Sequence, residues 1–297
     1  MAEKAMPERP KVIYLMGAGH SGSSILGVAL GNCEDFFYAG EVEEWLARAG
    51  QPRWGGTERA RFWSRVTAEV DADGLFGAEV NRHVERSSAA LRPDRWLARW
   101  RLLRRYRRVA GDLLRAIART AGAGHVVDSS HFPLRARELR KVSGIELYLI
   151  FLVRDPQSVV DSNTREFSPH EVAERRWRTL SMNANLWLTQ LLSVLVFARH
   201  PRDRRIFLRY EDLVADPEGV LRQILDAVGS SAAIPDLAAL RIGMPLQGNR
   251  LLRSDVIALR RSPVQTPAWS PLTTLLQRPW LPILARLRPV ATARRRA

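Results

Sequence analysis

Gly17-Ala18-Gly19-His20-Ser21-Gly22-Ser23-Ser24 is where residue types and spacing carry chemistry most directly. Glycines let a backbone bend and bring its N–H groups close to an anion. The apolar run Val12–Met16 precedes the stretch. Ile25, Leu26, Ala29 and Leu30 follow at helical spacing. It therefore reads as a turn between a buried strand and a helix N-terminus. Such a terminus offers unpaired N–H donors and partial positive charge, to which Ser21, Ser23 and Ser24 add hydroxyls. The expected ligand is a phosphate or sulfate group. Gly17-x4-Gly22 has the opening spacing of a P-loop, but Ser23-Ser24 stand where a triphosphatase needs a lysine for the phosphates and a hydroxyl for magnesium. That points to a smaller anion, held without a metal. A dinucleotide fingerprint can also be threaded through Gly17, Gly19 and Gly22. It is set aside because no Asp/Glu-ended second strand is expected about 20 residues on.

Three further strands are expected, each ending in polar residues. His125–Asp128 runs into Ser129-Ser130-His131. Ile145–Val153 runs into Arg154-Asp155-Pro156, where Asp155 caps a helix 157–165 that carries Ser162. Arg205–Arg209 runs into Tyr210. Helices are expected at 134–142, at 171–200 with Trp177, Leu180, Asn183, Ala184, Trp187 and Leu191 along its stripe, and at 217–228. Strands alternating with helices imply α/β architecture, a P-loop-like three-layer sandwich around a central parallel sheet. Sites in such sheets lie at the carboxyl ends of the strands, where these polar clusters fall.

Residues 41–120 read as a helical insertion covering one side of the core. Helices are expected near 41–49, 57–70 and 75–90. A longer one over 94–120 has Trp96, Leu97, Trp100, Leu103, Tyr106, Val109, Leu113, Leu114 and Ile117 as its apolar face. Its arginines between 95 and 108 form either a solvated face or a surface for an anionic partner. The remaining calls concern the chain as a whole. All 297 residues are expected to form one domain, with an irregular basic tail over about 285–297 that includes Arg294–Arg296. The net charge of +15 favours anionic partners, a peripheral anionic membrane among them, although Arg-rich composition alone also produces it. The single Cys33 excludes an internal disulfide and fits a reducing compartment. No signal peptide is read in residues 1–10, and Leu186–Ala198 is too short an apolar run to span a bilayer. A cytoplasmic location follows as the expectation.

GAGHSGSSIL, Gly17 to Leu26, resembles the 5′-phosphosulfate loop of sulfotransferases that use 3′-phosphoadenosine 5′-phosphosulfate (PAPS), a family with many bacterial members that also includes the tyrosylprotein sulfotransferases. FLVRDPQSVVDS resembles their 3′-phosphate motif, LRYEDLVADPEGVL their later strand–helix segment, and LQGNRLLR a loop closing over the 3′-phosphate. The resemblance covers roughly 11–41 and 125–253. It implies PAPS as co-substrate without a metal, and a hydroxyl acceptor on a small molecule, glycan, lipid or peptide. It further implies donor contacts from Gly19, His20, Ser21, Gly22, Ser23 and Ser24, from Arg154, Ser162 and Tyr210, and from Asn249, Arg250 and Arg253.

Two departures stand out. His20 occupies the loop position where the family carries Arg or Lys, and Ser129-Ser130-His131 replaces a DSSK-like segment. Both expected cations near the transferring group are then histidines, which stabilise a developing negative charge fully only when protonated. That reading predicts turnover falling at alkaline pH. Glu41 lies where the tyrosylprotein enzymes carry a catalytic glutamate, and His131 is the competing base for the acceptor hydroxyl. Two other classes remain at this point. One is a P-loop kinase or NTPase with Asp128 as magnesium partner. The other is a basic protein that binds nucleic acid or a membrane surface; under the leading reading no nucleic-acid partner is expected. The acceptor and the oligomeric state are not set by these motifs.

Overall fold

The structure is a computed structural model, and it describes residues 9–77, 80–166, 172–263 and 267–287. The tail arginines Arg294–Arg296 fall outside the described residues.

Five parallel strands build the sheet in the order β2-β3-β1-β4-β5: β1 Lys11–Gly17, β2 Phe36–Gly40, β3 His125–His131, β4 Glu146–Val153 and β5 Arg205–Arg209. Alternation along β1 divides the core. Val12, Tyr14 and Met16 face one apolar layer, and Ile13 and Leu15 face the other. On the second face pack α1 (Ser23–Gly31) and α9 (Pro217–Ala227), with Leu252 and Leu259. On the first face pack α3 (Thr57–Ala68), α4 (Trp96–Ala121), α5 (Pro133–Leu139) and α7 (Val172–Ala198). α3 and α4, both within residues 41–120, thus pack on the same side of the sheet.

β2 corrects the sequence reading. Phe36-Phe37-Tyr38 falls where no acid-ended second strand is expected. It is nonetheless a strand paired with β3, and Glu41 follows it directly. An acid-ended second strand is therefore present. Leu246 and Gln247 run along its outer edge, with Leu246 N–H to Ala39 O and Glu41 N–H to Gln247 O both at 2.9 Å. This pairing occupies donors that an edge strand would otherwise expose.

Three helices also depart from expectation. The 41–49 helix is a single turn, α2 (Glu44–Ala47), stopped where Ala49 and Gly50 take positive φ. Among the described residues of the helix expected at 75–90, Asn81–Glu85 is a π turn, and Ser87–Leu91 after it is a 3-10 turn. The apolar face of α4 is buried only from Tyr106 onward, while Trp96, Leu97 and Trp100 are exposed. Within α7, Trp177–Ala198 is long and apolar enough to cross a bilayer, which corrects the length read from Leu186–Ala198. One face of it packs against β1, β4, α5, α6 (Pro156–Glu166) and α10 (Pro271–Gln277). A short antiparallel pair, β6 (Leu240–Arg241) with β7 (Val256–Ile257), precedes α10 and α11 (Trp280–Leu287).

Candidate active site

Register brings the polar ends of the strands together. Met16 is level with His131, Gly17 with Leu152 and Gly40 with Asp128. Gly17, His131, Arg154 and Glu41 therefore leave the sheet at one end. The chain from β1 turns toward β2 and the chain from β4 toward β5, so β1 and β4 flank the switch point at which such sheets bind ligands.

The loop after β1 is held from within and from β4. Ser21 Oγ donates to Ala18 O at 2.6 Å, and Arg154 Nη1 donates to His20 O at 3.0 Å. Ser162 Oγ lies 3.3 Å from His20 Nδ1. The Arg154 guanidinium sits 4.4 Å from the centre of the Tyr210 ring, a cation–π contact. Four residues singled out in the sequence, His20, Arg154, Ser162 and Tyr210, are thus one cluster. Helix α1 begins after Gly22 with no side chain capping its first N–H groups, and Ser23 and Ser24 lie in that first turn. Those donors are the ones an anion would take. A Cβ on Gly19 would meet nothing, so the backbone there is open to a ligand.

Gly22 is required twice over. Its φ is 95°, and a Cβ there would stand 2.4 Å from Cδ2 of Tyr210. Gly22→Ala is expected to cost about 1–2 kcal/mol from the left-handed backbone alone. It should also displace the Tyr210 ring from Arg154. Thermal unfolding checks the first effect and nucleotide titration the second.

Among the described residues, five non-glycine residues have positive φ, and His20 (63°) and His131 (54°) are two of them. Conformations of this kind collect at functional sites, where the surroundings over-determine them. His131 is nevertheless not the cation the sequence suggested. Burial pushes its pKa down to about 4, the nearby His20 lowers it further, and a Ser129 backbone bond and Asp128 oppose this only in part. Its imidazole is neutral at neutral pH.

Glu41, half-buried beyond β2, receives Gln247 Nε2 at 3.4 Å. Burial lifts its pKa to about 7; Gln247 lowers it, Glu44 and Asp128 raise it, and Arg53 lowers it. A carboxylate poised there suits a general base. Next to it Glu43 is fully buried, and burial, Glu41 and Glu85 hold its pKa well above the ordinary range.

Sequence reasoning missed what anchors this end of the sheet. Asp128 receives Arg135 Nε and Nη2 on Oδ2 at 3.2 and 3.0 Å, and Ser130 N–H on Oδ1 at 2.9 Å. Arg135 Nη1 also donates to Glu85 at 2.7 Å and to the Tyr106 hydroxyl at 2.9 Å. Ser130 Oγ accepts the Glu43 N–H at 3.1 Å, and the Tyr38 hydroxyl lies 3.0 Å from Ser129 Oγ. Arg135 lies within the helix expected at 134–142, and nothing in the sequence singles it out. With both oxygens engaged and no exposure, Asp128 is a structural anchor and not a magnesium partner.

The GNRLLR segment is placed differently from Arg154. Asn249 Oδ1 caps its own turn, accepting Leu251 N–H at 2.9 Å. Arg250 is exposed, and Arg253 lies 5.6 Å from the Trp54 ring centre. This segment adjoins Glu41 through Gln247, and Leu252 packs beneath it.

Residues 10–233 match the model of the Sulfotransferase family. The chain belongs to that family. The fold agrees with two solved structures. The sulfotransferase domain of the Synechococcus PCC 7002 olefin synthase is 18% identical at a TM-score of 0.54, with 93% of this chain and 98% of that one covered. The sulfotransferase domain from the curacin biosynthetic pathway is 19% identical at 0.55, with 95% and 100% covered. No curated protein sequence matches the chain. The five-stranded α/β sandwich is therefore the P-loop-like sulfotransferase fold, and the loop Gly17–Ser24 opens its first βα unit.

Proposed function

We propose that this sulfotransferase takes the sulfuryl group from PAPS and passes it to an acceptor hydroxyl by in-line attack. The observation that carries the reading is the convergence of Arg154, Ser162 and Tyr210 on the His20 end of the loop. The phosphosulfate would lie on the first turn of α1, against the N–H groups and hydroxyls of Ser23 and Ser24. Arg154 supplies a planar fork for the 3′-phosphate, and Ser162 a hydroxyl beside it. Tyr210, held against Gly22, presents a ring near the nucleoside. Glu41 takes the acceptor proton as the acceptor oxygen bonds to sulfur and the bond to the bridging oxygen breaks. Adenosine 3′,5′-bisphosphate and a sulfate ester are the products. His131, neutral and facing the same end of the sheet, can donate a hydrogen bond to the leaving oxygen or stand in as base.

Transfer of labelled sulfate from PAPS to a panel of alcohols and phenols tests the reaction. Thermal stabilisation by adenosine 3′,5′-bisphosphate but not by ATP–magnesium tests the site without needing the acceptor; the opposite pattern would return the kinase reading. Arg154→Ala is expected to weaken adenosine 3′,5′-bisphosphate about 10- to 150-fold, the worth of a hydrogen bond to a charged group. Adenosine 5′-monophosphate, which lacks the 3′-phosphate, should lose little. Equal losses for both ligands in calorimetric titrations would take Arg154 away from the 3′-phosphate.

A further inference from the structure

Helix α4 is amphipathic in sequence along its whole length, yet only its later part is covered. Tyr106, Val109, Leu113, Leu114 and Ile117 are buried. Ahead of them Leu91, Trp96, Leu97 and Trp100 are 66%, 59%, 62% and 73% exposed. Trp96, Trp100 and Arg104 are spaced four apart and form one row, with Leu97 and Arg101 beside it. Trp96 and Trp100 lie to one side of the stripe that carries the buried Arg99 and Tyr106, and Leu97 and Arg101 lie further round the helix. Four large apolar side chains so close together are uncommon on a solvated surface and mark contact with something.

The surrounding charge says what kind of contact. Arg101 and Arg104 are exposed on the strip. Asp94, the acid nearest to it in sequence, is paired with Arg92 at 2.8 Å. Asp73 is occupied from below by Arg105 at 2.8 Å and by Arg108. The strip therefore combines bulky apolar groups with cations and carries no free acid among its own residues. Tryptophan suits the boundary between headgroups and acyl chains, with its ring in apolar surroundings and its N–H in wet ones. The guanidinium fork matches lipid phosphate. A nucleic acid would use the arginines but would gain nothing from Leu91 and Leu97.

We propose that this face is a peripheral docking surface for an anionic bilayer. Trp96, Leu97 and Trp100 enter the headgroup boundary, and Arg101 and Arg104 lie on the lipid phosphates. The contact is interfacial, since one short apolar strip beside a folded core lies on a membrane and does not span it. None of these residues is among those that hold the loop Gly17–Ser24, so the proposal stands whether or not PAPS is the donor.

Co-sedimentation of the full chain with vesicles tests this. The protein should bind vesicles containing roughly one third phosphatidylglycerol and leave pure phosphatidylcholine unbound. Trp96→Ser with Leu97→Ser and Trp100→Ser should weaken binding at least about tenfold, as should Arg101→Glu with Arg104→Glu. All five side chains are exposed, so thermal unfolding should be unchanged. If the triple variant proves unstable, brominated acyl chains provide a second measurement on the unaltered protein, whose tryptophan fluorescence they should quench. The proposal is overturned if neither variant set changes vesicle binding, or if brominated lipid leaves the fluorescence unaltered. Two other results also overturn it: a solution dimer that the triple variant converts to monomer, and duplex DNA binding that only the arginine variant abolishes.

Discussion

Arg135→Met is expected to lower the free energy of unfolding by about 3–5 kcal/mol, on the order of a thousandfold in the folding equilibrium. The side chain is 2% exposed and has no water to replace its partners. It bridges two buried carboxylates, Asp128 from β3 and Glu85 from the insertion, and it also donates to the Tyr106 hydroxyl on α4. Methionine fills similar space but leaves both carboxylates without their cation, and uncompensated burial is the costly part. Urea denaturation at neutral pH measures the loss. Adding Asp128→Asn to the variant should recover part of it, because one orphaned charge goes. A change below about 1 kcal/mol would mean the network is not what holds the insertion to the sheet. Activity should fall as well. The other oxygen of Asp128 holds Ser130 N–H, and Ser130 Oγ holds the Glu43 N–H, so the turn presenting His131 and the segment after Glu41 share this anchor.

The turn after β1 and the arginine that ends β4 were legible in the sequence because their chemistry is local. Gly22 must be glycine for backbone reasons, and Arg154 followed by Asp155-Pro156 marks a strand end and a helix start within three residues. Asp155 indeed accepts Ser158 N–H at 2.8 Å. What failed was whatever depends on which face a helix turns inward. The stripe expected for α7 places Trp177 and Trp187 inside, yet they are 72% and 40% exposed. The inner face carries Asn183, Thr189, Gln190 and Ser193 with Leu186, Val196 and Phe197. Those polar groups are buried because α10 and the 3-10 turn answer them. Gln190 Nε2 donates to Gln277 Oε1 at 3.2 Å, Gln277 Nε2 to Asn183 O at 2.9 Å, and Ser87 and Thr189 hydroxyls lie 3.0 Å apart. A count of apolar residues favours the wrong side when the partner is more than 80 residues away. Arg135 was missed although its partners are nearer in the chain, seven, 29 and 50 residues distant, because they sit on three different elements that only the fold brings together. β2 was missed for the opposite reason: three aromatic residues are too short a run to show a period.

Glu41→Gln is expected to lower kcat by about 10²–10⁴, the usual worth of a general base, with donor affinity nearly unchanged. The pH dependence identifies the group. Burial raises the Glu41 pKa from 4.5 to about 7, and a base works only when deprotonated, so wild-type turnover should climb as pH rises through about 7 and then level. A protonated-histidine mechanism gives the reverse, a fall toward alkaline pH. His131 cannot supply that fall, because burial leaves it neutral above about 4. The Gln variant should lose the limb near 7 along with its rate. If His131 is the base instead, Glu41→Gln keeps near-normal turnover and the limb moves toward 4, where His131→Gln would remove it. Stability provides a check that needs no acceptor. A carboxyl whose pKa is raised by folding holds more protons folded than unfolded between 4.5 and 7, so its contribution to stability falls as pH rises across that window. The neutral His131 acts oppositely, with stability lost as pH drops below 6.5 toward 4. The stability of wild type relative to Glu41→Gln should therefore fall as pH rises from 5 to 7 and stay level below 4.5, the histidine contribution being common to both proteins. Together the two measurements would link the proton on Glu41 to the fold and, through the rate, to the acceptor oxygen of the proposed reaction.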